Sequence, residues 1–126
     1  MMTRTMLALA ISANIGCALG PSAQLTPPTR TLQVEVTAYC DQGETASGVQ
    51  TRRGIVAADP DVLPLGSRIR VEGLAGRHNG TYDVEDTGSA VKGRIIDIFM
   101  ADCGAAKRFG RQAARVQVLR VGDNSR

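Results

Sequence analysis

The sequence predicts a mainly β fold, a small closed barrel of six strands with one short helix. Three observations lead to this prediction. The 126 residues suffice for one domain with a single core. Hydrophobic residues make up 43% of the chain and aromatic residues only 3%, so Val, Ile, Leu and Ala must fill that core. Six short segments have strand patterns, and clusters of Gly and Pro separate them.

Each of the six segments shows one of two patterns. Four alternate apolar with polar residues, as in strands with one buried face, at 32–37, 68–72, 81–85 and 116–118. The segments 54–59 and 94–100 are largely apolar on both faces, which predicts buried strands. A helix is predicted over 101–110, with Asp102 as its N-cap and Gly110 as its end.

The first residues indicate export. Arg4 precedes an uncharged apolar run over 6–19 and then small residues, the layout of a secretory signal peptide, which we assign to 1–23. The run is short for a membrane-spanning helix. The alternative, a buried N-terminal helix, lacks a polar face to present to solvent. We therefore expect an exported protein, in the periplasm or outer membrane of a bacterial envelope or outside the cell.

Cys17 allows an alternative interpretation, export as a lipoprotein. Bacterial lipoproteins are cleaved just before a Cys at the end of such a run; Gly16 fits that motif, whereas Asn14 does not. A lipid anchor at Cys17 is thus the alternative to cleavage near Ala23, and it would be the protein's link to a membrane.

The remaining chain divides into three parts. Residues 24–31 are predicted to be a linker, because two adjacent prolines exclude a helix. The barrel is predicted over 32–121, and 122–126 are predicted to be a disordered tail.

Cys40 and Cys103 would both remain after signal cleavage. In an oxidising compartment a disulfide is the expected use of two thiols. A metal site is the rival, but these residues and His78 show no CxxC or HxxxH spacing. His78 lies in the turn-rich stretch 75–80 and is predicted to be a solvated loop residue. We expect no metal and no cofactor.

The charge balance is weakly basic. The net charge is +3, and loss of Arg4 would lower it by one. No run of basic residues stands out, so we expect no nucleic-acid partner.

Asp86, Thr87 and Gly88 form the tripeptide best known from aspartic proteases. A retroviral-type protease subunit has about this length, but it carries the tripeptide in its first third. Here only 40 residues follow Asp86, and the apolar segment 94–100 comes at once. A bare tripeptide is a weak signal, so a protease half is the weaker interpretation.

Asp97 lies within 94–100 and shares a strand face with Ile95 and Phe99. Asp86 ends the preceding strand, and a glycine-containing loop connects the two. We therefore expect the two carboxylates to approach each other across a strand pair. Burial and a like-charged neighbour both raise a carboxyl pKa, which would keep Asp97 protonated, as a general acid requires.

Two further possibilities concern the aspartates. Asp97 could instead be a buried ion-pair partner of Arg94 or another Arg, or cap a backbone amide. Asp59 precedes Pro60, which alone indicates an ordinary turn. Its position at the end of a buried strand makes Asp59 the third candidate.

Several stretches together resemble the three-aspartate (3D) domain family of membrane-bound lytic transglycosylases and stationary-phase survival proteins. The resemblance covers nearly the whole predicted domain, and "VLPLG", "DTG", "KG" and "IDIF" occur in the family's order. The matching stretches are 36–40, 45–73, 82–100 and 105–119.

The resemblance implies a double-psi β-barrel that cleaves peptidoglycan glycan strands between N-acetylmuramic acid and N-acetylglucosamine, leaving a 1,6-anhydromuramic end. The family aspartates correspond to Asp59, Asp86 and Asp97, and the acid/base role to Asp97. Asp86 would orient Asp97 and raise its pKa, while Asp59 would accept hydrogen bonds from sugar hydroxyls or the other carboxyls. We expect a monomer whose partner is the glycan strand.

The flanking residues of these motifs are candidates for substrate contact. Thr87 would supply a hydroxyl, and Gly88 would let the backbone approach the sugar closely. Ser89 stands where a second Gly is common, which would narrow the loop. The other candidates are Thr37, Tyr39, Ser47, Gly48 and Lys92, for which ordinary packing or solvation is the alternative.

Two other functions remain open. The barrel could bind glycan without cleaving it, or it could be a hydrolase in which water replaces the muramic 6-hydroxyl.

Overall fold

A computed structural model describes residues 30–125 of the chain. The predicted signal peptide over 1–23, with Cys17, lies outside the described residues, as does most of the predicted linker over 24–31. The predicted domain boundaries remain predictions.

The described chain forms a closed six-stranded barrel with one short α-helix, which confirms the predicted fold class. A single 3-10 turn, Gly76–His78, is the one addition within this part of the chain. The strands are β1 (Thr31–Tyr39), β2 (Ile55–Ala58), β3 (Arg68–Glu72), β4 (Gly80–Asp86), β5 (Ile95–Phe99) and β6 (Gln112–Arg120), and the helix is α1 (Cys103–Phe109).

The strands interleave around the barrel in the order β1-β5-β2-β4-β3-β6. β5 lies between β1 and β2, and β4 lies between β2 and β3. The pairs β1–β5 and β2–β4 are parallel, and the other four pairs are antiparallel. These two interlocked crossings match the double-psi arrangement.

The prediction that Asp86 and Asp97 lie on adjacent strands was wrong. β2 separates β4, which ends at Asp86, from β5, which contains Asp97. All four residues of β2 are buried, as expected of a continuously apolar strand with a neighbour on each side. The loop after Asp86 is therefore a crossover and not a hairpin turn.

The barrel interior is packed with aliphatic side chains from every strand. Each fully buried Val or Ile stabilises the fold by roughly 1.5–3 kcal/mol. Those with no exposed surface include Val36, Ile55, Val56, Ile69, Val71, Val84, Ile96 and Val116.

Helix α1 begins and ends where the sequence predicts. Oδ1 of Asp102 accepts hydrogen bonds from the amides of Gly104 (2.8 Å) and Ala105 (3.2 Å), and Gly110 follows the last turn with φ of 64°. Phe109 is buried, and the ring of His78 packs edge-on against it at 5.3 Å. His78 lies in a turn and is partly exposed, as the sequence predicts, but its contact with Phe109 was not predicted.

A disulfide joins Cys40, which directly follows β1, to Cys103, the first residue of α1. This is the pair expected from the sequence. Their Cα atoms are 5.1 Å apart, so the bond fastens the helix to the end of β1.

No helix within residues 30–125 is long and apolar enough to cross a membrane. In the same part of the chain, no three His, Cys, Asp or Glu side chains are arranged to hold a metal ion.

Replacing both cysteines, Cys40→Ala with Cys103→Ala, should lower the free energy of unfolding by about 4 kcal/mol. The bond closes a loop over a sequence separation of 63, and the chain-entropy model gives this magnitude for such a loop. Urea unfolding followed by circular dichroism measures it. The reduced wild-type protein should unfold at the same urea concentration as the double variant; an unchanged midpoint in both would contradict the prediction.

Candidate active site

A groove of about 270 Å³ lies on the outside of the barrel, where β1, β5 and β2 run side by side. The inward residues of these strands fill the core, so alternation directs Thr37, Tyr39 and Asp97 outward. Among the described residues, four carboxylates and no Lys or Arg line the groove: Asp41, Glu44, Asp86 and Asp97.

Ala57 of β2 forms the floor between two of these carboxylates. It is the register partner of Asp97 on one side and of Asp86 on the other. A bulge shifts the β2–β4 register between Val56 and Ala57, so that Asp86, and not Glu85, stands opposite Ala57. Because Ala57 ends at Cβ, it leaves open space between the two acids.

Asp97 is the carboxyl best placed to carry a proton. It is half-buried, and its Oδ1 accepts a 3.0 Å hydrogen bond from Oγ1 of Thr37. Burial raises the pKa of Asp97 above its ordinary value, and the charges of Asp41 and Asp86 add to that shift, while the Thr37 hydrogen bond partly offsets it. None of the ion pairs among residues 30–125 includes Asp97, so the alternative pairing with Arg94 is excluded there.

The Asp86 carboxylate accepts hydrogen bonds from three segments around the groove. Its Oδ1 accepts from the amides of Ala46 (3.0 Å) and Thr87 (2.9 Å), and its Oδ2 accepts from the hydroxyl of Tyr39 (3.1 Å). Burial, and next the charge of Asp86, raise the pKa of Tyr39, so the phenol stays protonated and donates. Asp86 therefore holds the groove walls in place.

Asp59 lies apart from the groove. Its Oδ2 accepts from the amide of Gly93 (2.8 Å) and its Oδ1 from the amide of Asp61 (3.0 Å), and these bonds lower its pKa. The carboxylate thus fastens the end of the crossover loop 87–94, whose other end lines the groove. In this arrangement Asp59 contacts neither of the other two family aspartates through its side chain.

The other predicted substrate contacts separate into two groups. Thr87 and Gly88 line the groove, and a Cβ on Gly88 would come within 2.9 Å of Cγ2 of Val91. Ser47 instead is buried, and its hydroxyl donates to Glu85. Gly48 and Lys92 are exposed and do not line the groove, with Gly48 turning the chain at φ of 89°.

Sequence reasoning missed the acidic wall formed by the loop after β1. Asp41 and Glu44 line the groove together with Thr51. Asp41 directly follows Cys40, and the predicted disulfide fixes Cys40 at the end of β1. The disulfide could therefore have indicated that Asp41 lies near the groove. Nothing in the local pattern marks Glu44 or Thr51.

Comparison with known proteins identifies the family. The family model of the 3D domain matches residues 54–120. The chain belongs to the 3D domain family. Among its relatives in Bacillus subtilis (strain 168), this 3D domain is 38% identical over 89 residues to the putative cell wall shaping protein YabE, a match that covers 66% of this chain and 21% of YabE.

A second relative from the same organism, the cell wall-binding protein YocH, is 35% identical over 100 residues. That match covers 72% of this chain and 33% of YocH. The chain thus spans between a fifth and a third of the length of these two relatives.

Two solved structures share the fold. MltA from E. coli is 24% identical with a TM-score of 0.54, covering 64% of this chain and 28% of MltA. Streptomyces papain inhibitor is 21% identical with a TM-score of 0.58, covering 74% of this chain and 98% of the inhibitor. At these identities the likeness shows the barrel alone.

Asp59→Ala should loosen the crossover loop while leaving the barrel folded. Without the carboxylate, the amide of Gly93 loses its acceptor, and its hydrogen exchange should become about tenfold faster. Amide exchange followed by NMR measures this effect.

Asp61→Ala serves as the matched control, because the Asp61 side chain makes no hydrogen bond or ion pair among the described residues. Equal exchange rates at Gly93 in both variants would show that Asp59 does not hold the loop.

Proposed function

We propose that this 3D domain is a lytic transglycosylase that cleaves the bond between N-acetylmuramic acid and N-acetylglucosamine in peptidoglycan and leaves a 1,6-anhydromuramic end. The observation that carries the proposal is Asp97, a half-buried carboxyl with a raised pKa in an open groove. A carboxyl whose pKa is raised keeps its proton to higher pH than an ordinary aspartate, so it can donate a proton and then accept one.

The relatives support a role in the cell wall. YabE is named a putative cell wall shaping protein and YocH a cell wall-binding protein. MltA, which shares the barrel, is a lytic transglycosylase, and one of its structures holds bound chitohexaose. We therefore place this protein in the bacterial envelope or outside the cell, with glycan strands as its substrate.

In the first step, Asp97 donates its proton to the glycosidic oxygen. The bond from that oxygen to muramic C1 breaks, the N-acetylglucosamine end leaves as an alcohol, and positive charge develops at C1. The acidic groove favours that charge, because Asp41, Glu44 and Asp86 line the same space.

In the second step, the Asp97 carboxylate takes the proton from the muramic 6-hydroxyl while that oxygen bonds to C1. The proton returns to Asp97, and the 1,6-anhydro ring closes. Because the nucleophile belongs to the substrate, one carboxyl serves both steps, unlike the carboxylate pair of ordinary glycosidases.

Neighbouring residues would position Asp97 and the sugar. Thr37 holds Oδ1 of Asp97 through its hydroxyl, leaving Oδ2 for the glycosidic oxygen. Asp86 and Tyr39 keep the opposite wall in place through their hydrogen bond. Ala57 leaves the space that a sugar ring would occupy.

A second candidate function is glycan binding without cleavage. The name of YocH, a cell wall-binding protein, favours it. The third candidate is a hydrolase, which would leave ordinary reducing ends. An experiment must distinguish these three functions.

Digestion of purified sacculi, followed by mass analysis of the released muropeptides, tests the proposal. We expect products with 1,6-anhydromuramic ends from the wild-type protein. Asp97→Asn should lower their rate of formation by at least about 100-fold, the usual contribution of a general acid.

Asp61→Asn is the matched control, since Asp61 lies outside the groove and should keep full activity. Ordinary reducing ends would indicate the hydrolase, and binding without release would indicate the glycan-binding barrel. Full anhydro activity in Asp97→Asn would show that another group is the acid.

The pH dependence of cleavage should follow the environment of Asp97. The acid must be protonated to donate, so the rate should fall as pH rises through the pKa of Asp97. Thr37→Val removes a hydrogen bond that lowers this pKa, so the alkaline limb should move to higher pH. Asp41→Asn removes a charge that raises it, so the limb should move to lower pH.

Rates measured on sacculi between pH 4 and 9 at constant ionic strength locate the limb. Shifts of both variants in the same direction, or no shift in either, would contradict the assignment of Asp97.

A further inference from the structure

A second cleft, of about 290 Å³, lies beside the groove at the end of β5. Its floor is apolar and includes Phe99, Met100 and Ala105. Arg53 and Arg77 also line it, and both are exposed. The proposed cleavage mechanism uses none of these residues.

The two arginines are available to an anion. No Asp or Glu within residues 30–125 lies within 4.0 Å of either guanidinium. Asp102 is the one acid that lines this cleft among the described residues, and its Oδ1 is occupied as the N-cap of α1. The cleft therefore carries a net positive charge.

A cleft lined by apolar residues and two arginines fits a particular kind of ligand. A carboxylate would accept hydrogen bonds from the arginines, which match its planar geometry. A small side chain next to that carboxylate would bury its methyl group on the floor. A peptide that ends in a small apolar residue has both features.

The two clefts are neighbours along one strand. Asp97 lines the groove, Phe99 lines the cleft, and both face outward from β5, so their Cα atoms are about 7 Å apart. The ring of Tyr39, on the groove side, meets the ring of Phe99 edge-on at 5.5 Å. One ring of this pair lines the groove and the other lines the cleft. A peptide of three or four residues is long enough to reach from one to the other, at about 3.3 Å per residue.

The groove and the cleft differ in charge, so they suit different parts of a peptidoglycan strand. Within residues 30–125, four carboxylates and no cationic side chain line the groove, so it repels an anionic group. The neighbouring cleft carries the arginines. A glycan strand with attached peptides would place its neutral sugars in the groove and its peptide carboxylate at the arginines.

We propose that the cleft edged by Arg53 and Arg77 binds the terminal carboxylate of the short peptide attached to the glycan strand. The proposal rests on the proposed function for the identity of the strand. The binding site itself can be tested without cleavage.

The test is an NMR titration of the ¹⁵N-labelled protein with N-acetyl-D-alanyl-D-alanine. We expect saturable shifts at the cleft amides of Gly54, Ala101 and Ala105, and none at the groove amides of Thr87 and Gly88. The C-terminal amide of the same dipeptide, which lacks the charge, should bind about tenfold more weakly.

Arg53→Gln and Arg77→Gln should each weaken binding of the dipeptide by about tenfold, the effect of losing one charge-assisted hydrogen bond. Arg70→Gln is the matched control, because Arg70 is exposed on β3, outside both spaces, and should leave the affinity unchanged. All three positions are exposed, so the variants should fold.

Four results would overturn the peptide site: no saturable shift, equal affinity for the acid and the amide, an equal loss in Arg70→Gln, or shifts confined to the groove. If the dipeptide binds as expected while sacculi are not cleaved, the cleft is supported and the proposed catalysis fails. If sacculi are cleaved but the dipeptide does not bind, the cleft proposal alone fails.

Discussion

The bulge between β2 and β4 is the constraint on which the groove depends. Strict alternation along β4 would turn Asp86 inward with Val84, which has no exposed surface. The register shift places Asp86 opposite Ala57 instead, and the next strand places Asp97 opposite the same residue. Two acids from strands that are not neighbours thus flank one small side chain. A β-bulge that re-aims a side chain beside a functional site is a recurrent use of this irregularity.

The three family aspartates share a residue type but have different environments. Asp59 and Asp86 use their oxygens to accept hydrogen bonds from the surrounding loops and, in Asp86, from Tyr39. Asp97 is half-buried, and in the described part of the chain it has one such donor, the Thr37 hydroxyl. Hydrogen bonds to a carboxylate favour its charged form and burial disfavours it, so the pKa of Asp59 is lowered and that of Asp97 is raised.

The barrel alone does not decide between enzyme and binding protein. A lytic transglycosylase and a papain inhibitor both share it with this chain. The proposals rest instead on the surface of this molecule, where an acidic groove lined by Tyr39 lies next to a cleft lined by Phe99 and two arginines. The disulfide at Cys40 holds the wall that carries Asp41 next to these rings.

The sequence by itself determined the six strands, the helix with its cap at Asp102, and the strand face that Asp97 shares with Phe99, because each follows from local periodicity or local hydrogen bonding. Its motifs also indicated the 3D domain family. Only the tertiary structure decided that β2 separates Asp86 from Asp97, that Asp59 binds backbone amides, and that Asp41 belongs to the groove. These features depend on strand order, on a one-residue register shift and on loop closure, which bring together residues far apart in the chain and leave no mark on the local pattern.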